Sequence, residues 1–295
     1  MLIPSATHTA RLLTTLPEEH HYKGEPNDWV KMTRPGQRMH SFLEGLVIAE
    51  DGSLFVADVP YGRIFKIAPD HSKWSVVMQY PGEPHGLAFK TNNELIVADY
   101  EKGLLTFDVD ALSLSVFCDK YKVNKFKGVS DLVIDHEKNI WFTDTGRTSL
   151  SDPTGRVFKL DKAGVVTLVL ENVPYPNGIA VSPDGMFVYV SATRANAVWR
   201  LLRVSPEAKV MAGVYVQLTG GLGPDGLAVS KRGELAVAHA QAGCIWLFDE
   251  YGEPITRVRT PKGMWTTSVR FGGPDERTLY IVDAQSGSIF AFDVE

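Results

Sequence analysis

Six polar residues head six similar stretches of the chain: Glu44, His85, Ser130, Asn177, Asp225 and Thr267. The stretches read "EGLVIAEDGSLFVAD", "HGLAFKTNNELIVAD", "SDLVIDHEKNIWFTD", "NGIAVSPDGMFVYVS", "DGLAVSKRGELAVAH" and "TSVRFGGPDERTLYIVD". Glu44, Asn177 and Asp225 together offer two carboxylates and an amide oxygen. Hard cations such as Ca²⁺ take roughly six to eight oxygen ligands from carboxylates, amides and water. Three or four protein oxygens would leave places for water and for a substrate oxygen. The sequence holds no thiolate or histidine cluster suited to a closed zinc site. A cation would also let carboxylates crowd one buried space. The plainer alternative for any single position is a strand-end polar group that bonds neighbouring backbone or holds channel water. For the three together the metal reading is preferred.

The elements that would bring these residues together follow from the repeat. The heads lie 41 to 48 residues apart, and each unit is an apolar run, a polar turn and a second apolar run. Third strands such as "GRIFKI", "GRVFKL" and "CIWLFD" follow, and often a fourth such as "WSVVMQY". Four short strands in a repeat of this length are the signature of a β-propeller blade. The expected fold is therefore all-β: one six-bladed propeller over residues 1–295, with four-stranded blades around a central channel. Innermost strands would set the six heads around that channel. The last unit ends after three strands, so "ARLLTTL", residues 10–16, is expected to supply its outer strand and protect an open edge. Residues 17–42 fall outside the repeat. They form a long, polar, turn-rich stretch expected to cross one mouth of the propeller.

A second column closes the same stretches: Asp58, Asp99, Asp144, Ser191, His239 and Asp283. Tight turns such as Asp51-Gly52 and Asp184-Gly185 reverse each hairpin, so both columns share one face. The aspartates recur too regularly for a specific site and are expected to make blade-to-blade hydrogen bonds. His239 breaks the column and is a candidate for reaching the channel.

Composition limits the function classes. A net charge of −5 with mixed signs argues against a nucleic-acid surface. No apolar run reaches the ~18 residues that span a bilayer. The two cysteines, Cys118 and Cys244, form no motif, which points to a reducing compartment. The opening "MLIPSATHTARLLTTLPEEHH" lacks the basic flank and apolar core of a signal peptide. A soluble, cytoplasmic protein acting on a small molecule is expected.

With "LEGLVIAEDGSLFVAD", "YPNGIAVSPDGMFVYVS" and "GPDGLAVSKRGELAVA" in view, the chain resembles the senescence marker protein, gluconolactonase and luciferin-regenerating enzyme family. The resemblance covers all six repeats from Glu44 onward. It implies a six-bladed propeller with one divalent metal, usually calcium, and lactone hydrolysis. The family's metal-binding glutamate, asparagine and aspartate fall on Glu44, Asn177 and Asp225. Two places depart from the family pattern. Its Asn-Asp pair in blade 3 is here Ser130-Asp131, so Ser130 becomes a shorter metal ligand. An arginine used on sugar hydroxyls is replaced by Gly128, which weakens the sugar analogy.

The resemblance thus implies a metal-dependent lactonase or esterase with a small lactone or ester as substrate. Calcium is the first choice of ion, with zinc, manganese or iron as alternatives. The metal would polarise the carbonyl, and Asp225, with Asp131 as runner-up, would take a proton from water. His85, His40, Tyr175, Trp265 and His239 are the expected substrate contacts. Tyr61, Arg147 and Arg194 fall on neighbouring rim segments. The rival readings are phosphotriesterase-like hydrolysis and a calcium-binding or interaction propeller without turnover.

Overall fold

The computed structural model describes residues 3–202, 210–273 and 275–294. Alternation of apolar and polar residues along short runs yields twisted antiparallel sheets, and six of them stand around one axis as a propeller. Blade 1 runs from Leu43 to Gln79 in sequential strands, blade 2 from Pro84 to Cys118, and blade 3 from Val129 to Val173. Blade 4 spans Pro176 to Gln217, and blade 5 spans Gly223 to Arg259. In blade 6 the strands Thr266–Gly272, Thr278–Asp283 and Ser288–Asp293 are joined at the outer edge by Arg11–Thr15, antiparallel to the last of them. The strand just before it, Ala6–Thr9, adds in parallel to Pro254–Arg259 and makes blade 5 five-stranded. The N-terminal stretch therefore holds two adjacent blades at once, with the buried Ala10 at the crossing.

The core is divided among the blade interfaces. Phe55, Leu87 and Phe107 fill the gap between blades 1 and 2, and Ile96, Phe142 and Phe158 that between 2 and 3. Comparable apolar clusters close the other four gaps. Each fully buried aromatic or branched side chain contributes roughly 1.5–3 kcal/mol relative to exposure, so the ring of interfaces holds the blades at fixed angles.

Hydroxyl groups add directional ties between blades near the axis. Thr143 donates to the carbonyl of Asn177 at 2.7 Å, Ser191 to that of Asp225 at 2.6 Å and Thr267 to that of Leu43 at 2.8 Å. The aspartates of the second column do something else, contrary to the sequence expectation. Asp58 accepts from the Phe42 amide at 2.7 Å and from Arg63 Nε at 2.7 Å. Asp99 accepts from Tyr80 and from the amides of Glu83, Glu101 and Lys102. Asp144 accepts from the amides of Lys127 and Gly128 and from Arg156. These carboxylates fasten the segment entering each blade to its second strand. A carboxylate has enough lone pairs to collect several orphan amides at a strand entry, whereas a single hydroxyl suffices for one blade-to-blade bond.

Residues between blade 6's outer strand and blade 1 carry a 3₁₀ turn at Glu18–His20 and a short helix at Asp28–Thr33. Asn27 caps the helix by accepting from the Val30 amide at 3.0 Å. Trp29 and Val30 bury against Phe42, Val59 and Ala284. Among the described residues no helix is long and apolar enough to cross a membrane. Both thiols, Cys118 and Cys244, are free.

Candidate active site

Every innermost strand loses register at its polar head: between Glu44 and Val47, Pro84 and Leu87, Val129 and Leu132, Pro176 and Ile179, Pro224 and Leu227, and Thr266 and Ser268. Such a bulge bends the strand and re-aims a side chain. Four heads are followed by glycine because the next inner strand passes close by. A Cβ at Gly45, where φ is +57°, would stand 1.8 Å from the carbonyl oxygen of His85, and one at Gly178 would stand 2.1 Å from that of Asp225. Blade 3 has Asp131 at this place, and its carboxylate fills the gap facing Gly86.

The heads are joined by hydrogen bonds at the axis. Ser130 Oγ donates to Asn177 Oδ1 at 2.8 Å, and Asn177 Nδ2 donates to Asp225 Oδ1 at 2.6 Å. Across from this chain, His85 Nδ1 lies 3.0 Å from Glu44 Oε2. Above them lies a cavity of about 760 Å³, whose lining includes Glu44, His85, Asn177 and Asp225 together with Tyr175 and Trp265. Below lies a space of about 10 Å³, room for one water, edged by Ser130 and Asp131. Glu44, Asn177 and Asp225 border both spaces and so form the floor of the large one.

The electrostatics of the floor are those of crowded acids. Burial, then the charges of Glu44 and Asp131, raise the pKa of Asp225 well above the ordinary carboxylate value, with Arg34 acting the other way. Burial works against charging His85, but Glu44, Glu83 and Asp99 outweigh it and raise its pKa. Its Nε2 is buried without a partner among the described residues. These features bear on whether a cation fits. Among the described residues no three His, Cys, Asp or Glu side chains gather as a metal cluster. The set here is two carboxylates, an amide and a hydroxyl, and an all-oxygen set of that kind suits a hard cation. A divalent ion would also relieve the crowding of Glu44 and Asp225. The residues fit the ion.

The sequence-derived candidates divide in two. Glu44, Asn177, Asp225, His85, Tyr175 and Trp265 all face the large cavity, and Ser130 touches it through Asn177. His40, His239 and Asp131 are not brought there. His40 stacks on His21 with ring centres 4.1 Å apart and bonds Ser41. His239 is buried in the second strand of blade 5, where it contacts the Gly220 carbonyl and accepts from Trp246 Nε1 at 3.2 Å. Asp131 lies under the floor, where it accepts from the amides of Leu132 and Ile179 and pairs with Arg270 at 3.8 Å. Tyr61 is also outside the cavity, its hydroxyl bonded to Met39.

Tyr175 holds its place through a left-handed backbone, φ +64°, with its amide donating to Thr148 Oγ1 at 3.0 Å. A non-glycine residue in that region is a strain that surrounding structure must hold. Arg147 and Arg194 stand at the cavity mouth.

Among the wall residues that escaped the sequence reading are Trp29, Arg34, Glu83 and Tyr100. Tyr100 had a signal, since it directly follows the second-column Asp99. It also accounts for Gly128: a Cβ there would strike the Tyr100 ring at 2.5 Å. Trp29 and Arg34 belong to the stretch 17–42 expected to cross one mouth, but outside the repeat nothing singled them out within it.

The family model for the SMP-30/Gluconolactonase/LRE-like region matches residues 42–285. Lactonase drp35 of Staphylococcus haemolyticus is 27% identical over 276 residues, covering 88% of this chain and 82% of the relative. Among solved structures, the calcium-binding protein regucalcin from Agrobacterium tumefaciens superposes with a TM-score of 0.79 at 21% identity, covering 100% of this chain and 96% of that one. A gluconolactonase from Xanthomonas campestris gives 0.76 at 20% identity, covering 86% of each chain. At such identities the two structures share a fold with this chain.

Proposed function

We propose that this chain, which belongs to the SMP-30/gluconolactonase/LRE-like family, is a hydrolase that opens a small lactone ring. The observation that carries the reading is the convergence of Glu44, Asn177, Asp225 and Ser130, from four blades, at the floor of a cavity with room for a small ring. The lactonase relative supports the same substrate class. Held by Glu44, Asn177 and Asp225 with Ser130 beside them, a divalent ion, calcium first among the candidates, would supply Lewis-acid polarisation of the substrate carbonyl.

Asp225 is the base. Its carboxylate stands on the cavity floor, within the space a substrate and its attacking water would share, which suits it to take a proton from that water. Asp131 is occupied by two amides and Arg270, so it is passed over for this role. As the water oxygen bonds to the carbonyl carbon, Asp225 holds the proton. As the ring C–O bond breaks, Asp225 returns it to the departing alkoxide, and a hydroxy acid results. His85 steadies Glu44 through Nδ1 and adds its imidazole to the cavity wall. Trp265 and Tyr175 shield the reacting carbonyl from bulk water.

The test is a panel of lactones, esters and a phosphotriester assayed on chelator-stripped protein, with calcium, zinc, manganese and iron(II) restored singly. Lactone hydrolysis lost on stripping and restored by one ion is the expected result. No lactone turnover with any ion, or turnover of the phosphotriester alone, would contradict the proposal.

A further inference from the structure

Away from the cavity, Arg63 pairs with Asp58, Arg156 with Asp144 and Arg270 with Asp131. At the cavity, Arg34, Arg147 and Arg194 all form part of the lining without an ion pair among the described residues, and Arg34 and Arg194 are the two that lie over an aromatic ring there. Arg34 lies half-buried just after the short helix, its guanidinium carbon 3.7 Å from the centre of the Trp265 ring and 5.0 Å from that of Phe42. Nη1 donates to the Thr33 carbonyl at 2.9 Å, which leaves most of its five N–H donors without a partner among the described residues. Arg194 lies over Tyr175 at 5.4 Å.

Stacking fixes the plane of a guanidinium without using its N–H donors, and a fixed fork suits a planar anion. Burial, and to a lesser degree the charge of Arg194, disfavour the Arg34 cation, while Glu44, Tyr175 and Asp225 support it. The two positive groups are thus near enough to sense each other over one cavity. A half-buried cation without an acceptor is costly unless a ligand supplies one.

We infer that the substrate carries a carboxylate besides its lactone ring, and that Arg34 and Arg194 receive this carboxylate on the wall formed by Trp265 and Tyr175. The neutral aldonolactones are then poor substrates, in keeping with Gly128 and the Tyr100 ring that fills the space beside it. The inference rests on the hydrolase reading for turnover but not for binding.

The test has two arms on the full-length protein. In the first, tryptophan fluorescence follows binding of cyclopentanone-3-carboxylate, a ring that cannot be hydrolysed, against cyclopentanone and cyclopentyl phosphate. The carboxylate should bind at least about tenfold more tightly than the neutral ketone, as charge-assisted hydrogen bonds require. Arg34→Gln should abolish that preference, Arg194→Gln should reduce it, and Arg34→Lys should restore part of it. In the second arm, kcat/KM is compared for γ-butyrolactone and 5-oxotetrahydrofuran-3-carboxylate. The charged lactone should be preferred, with Arg34→Gln lowering the ratio about tenfold or more, mainly through KM.

Carboxylate binding without any lactone turnover would overturn the hydrolase reading and leave this inference standing. Lactone turnover with no preference for the carboxylate in either arm would overturn this inference alone. Neither binding nor turnover would overturn both. Tighter binding of the phosphate than the carboxylate would overturn the choice of carboxylate.

Discussion

The two polar columns of this propeller sit at the same end of neighbouring strands, the second fully buried and the first slightly open toward the cavity, and they are satisfied in opposite ways. Asp58, Asp99 and Asp144 collect backbone amides, tyrosine and arginine from their own surroundings. Glu44, Asn177 and Asp225 are held by one another's neighbours in the ring, through Ser130 and His85, and border a cavity. A buried polar group that finds its partners locally serves the fold. Groups that must share partners, with like charges left facing each other, are placed for a ligand.

That contrast can be broken from either side. The largest effect is expected at Asp225→Asn: lactone kcat/KM should fall on the order of a thousandfold. The thermal midpoint of the metal-free protein should hold or rise, because one of the crowded charges is gone. Retained turnover would remove Asp225 as the base, and a collapse in midpoint would move it into the structural column. Asp58→Ala should show the reverse balance. It strands the buried Arg63 and the Phe42 amide, and denaturant unfolding should report a loss of about 3–5 kcal/mol. A loss below ~1 kcal/mol would mean that Arg63 finds another partner. Gly45→Ala should lower stability in the same unfolding measurement by at least the about 1–3 kcal/mol that a side chain on a left-handed backbone costs, because its Cβ would also meet the His85 carbonyl oxygen at 1.8 Å. If Gly45→Ala proved neutral, close strand approach would not be what selects glycine after Glu44.

Much of this was legible in the sequence. The hairpin repeat and the polar-glycine pairs at 44–45, 85–86, 177–178 and 225–226 carry the blades and the ring of heads in their spacing. Other features depend on what packs beside them. Asp131 looked like a second base because it follows a head residue, but alternation along a strand says nothing about a bulge, and the bulge sends it beneath the floor. His239 interrupts a column of aspartates, and only its neighbour Trp246 reveals a packing role. Arg34 lies in a stretch without repeat partners, so no column could align it with the site. The N-terminal strand Ala6–Thr9 has the composition of many others and becomes recognisable only once blade 5 presents an edge.

Glu44, Asn177 and Asp225 are proposed to act as one cation site. Calorimetric titration of calcium into chelator-treated protein tests that assignment most directly, with Glu44→Gln, Asn177→Ala and Asp225→Asn run beside the wild type. A single ion should bind per chain, with affinity lost or cut steeply by each of the three changes. No calcium binding by the wild type, or binding that survives all three, would contradict it.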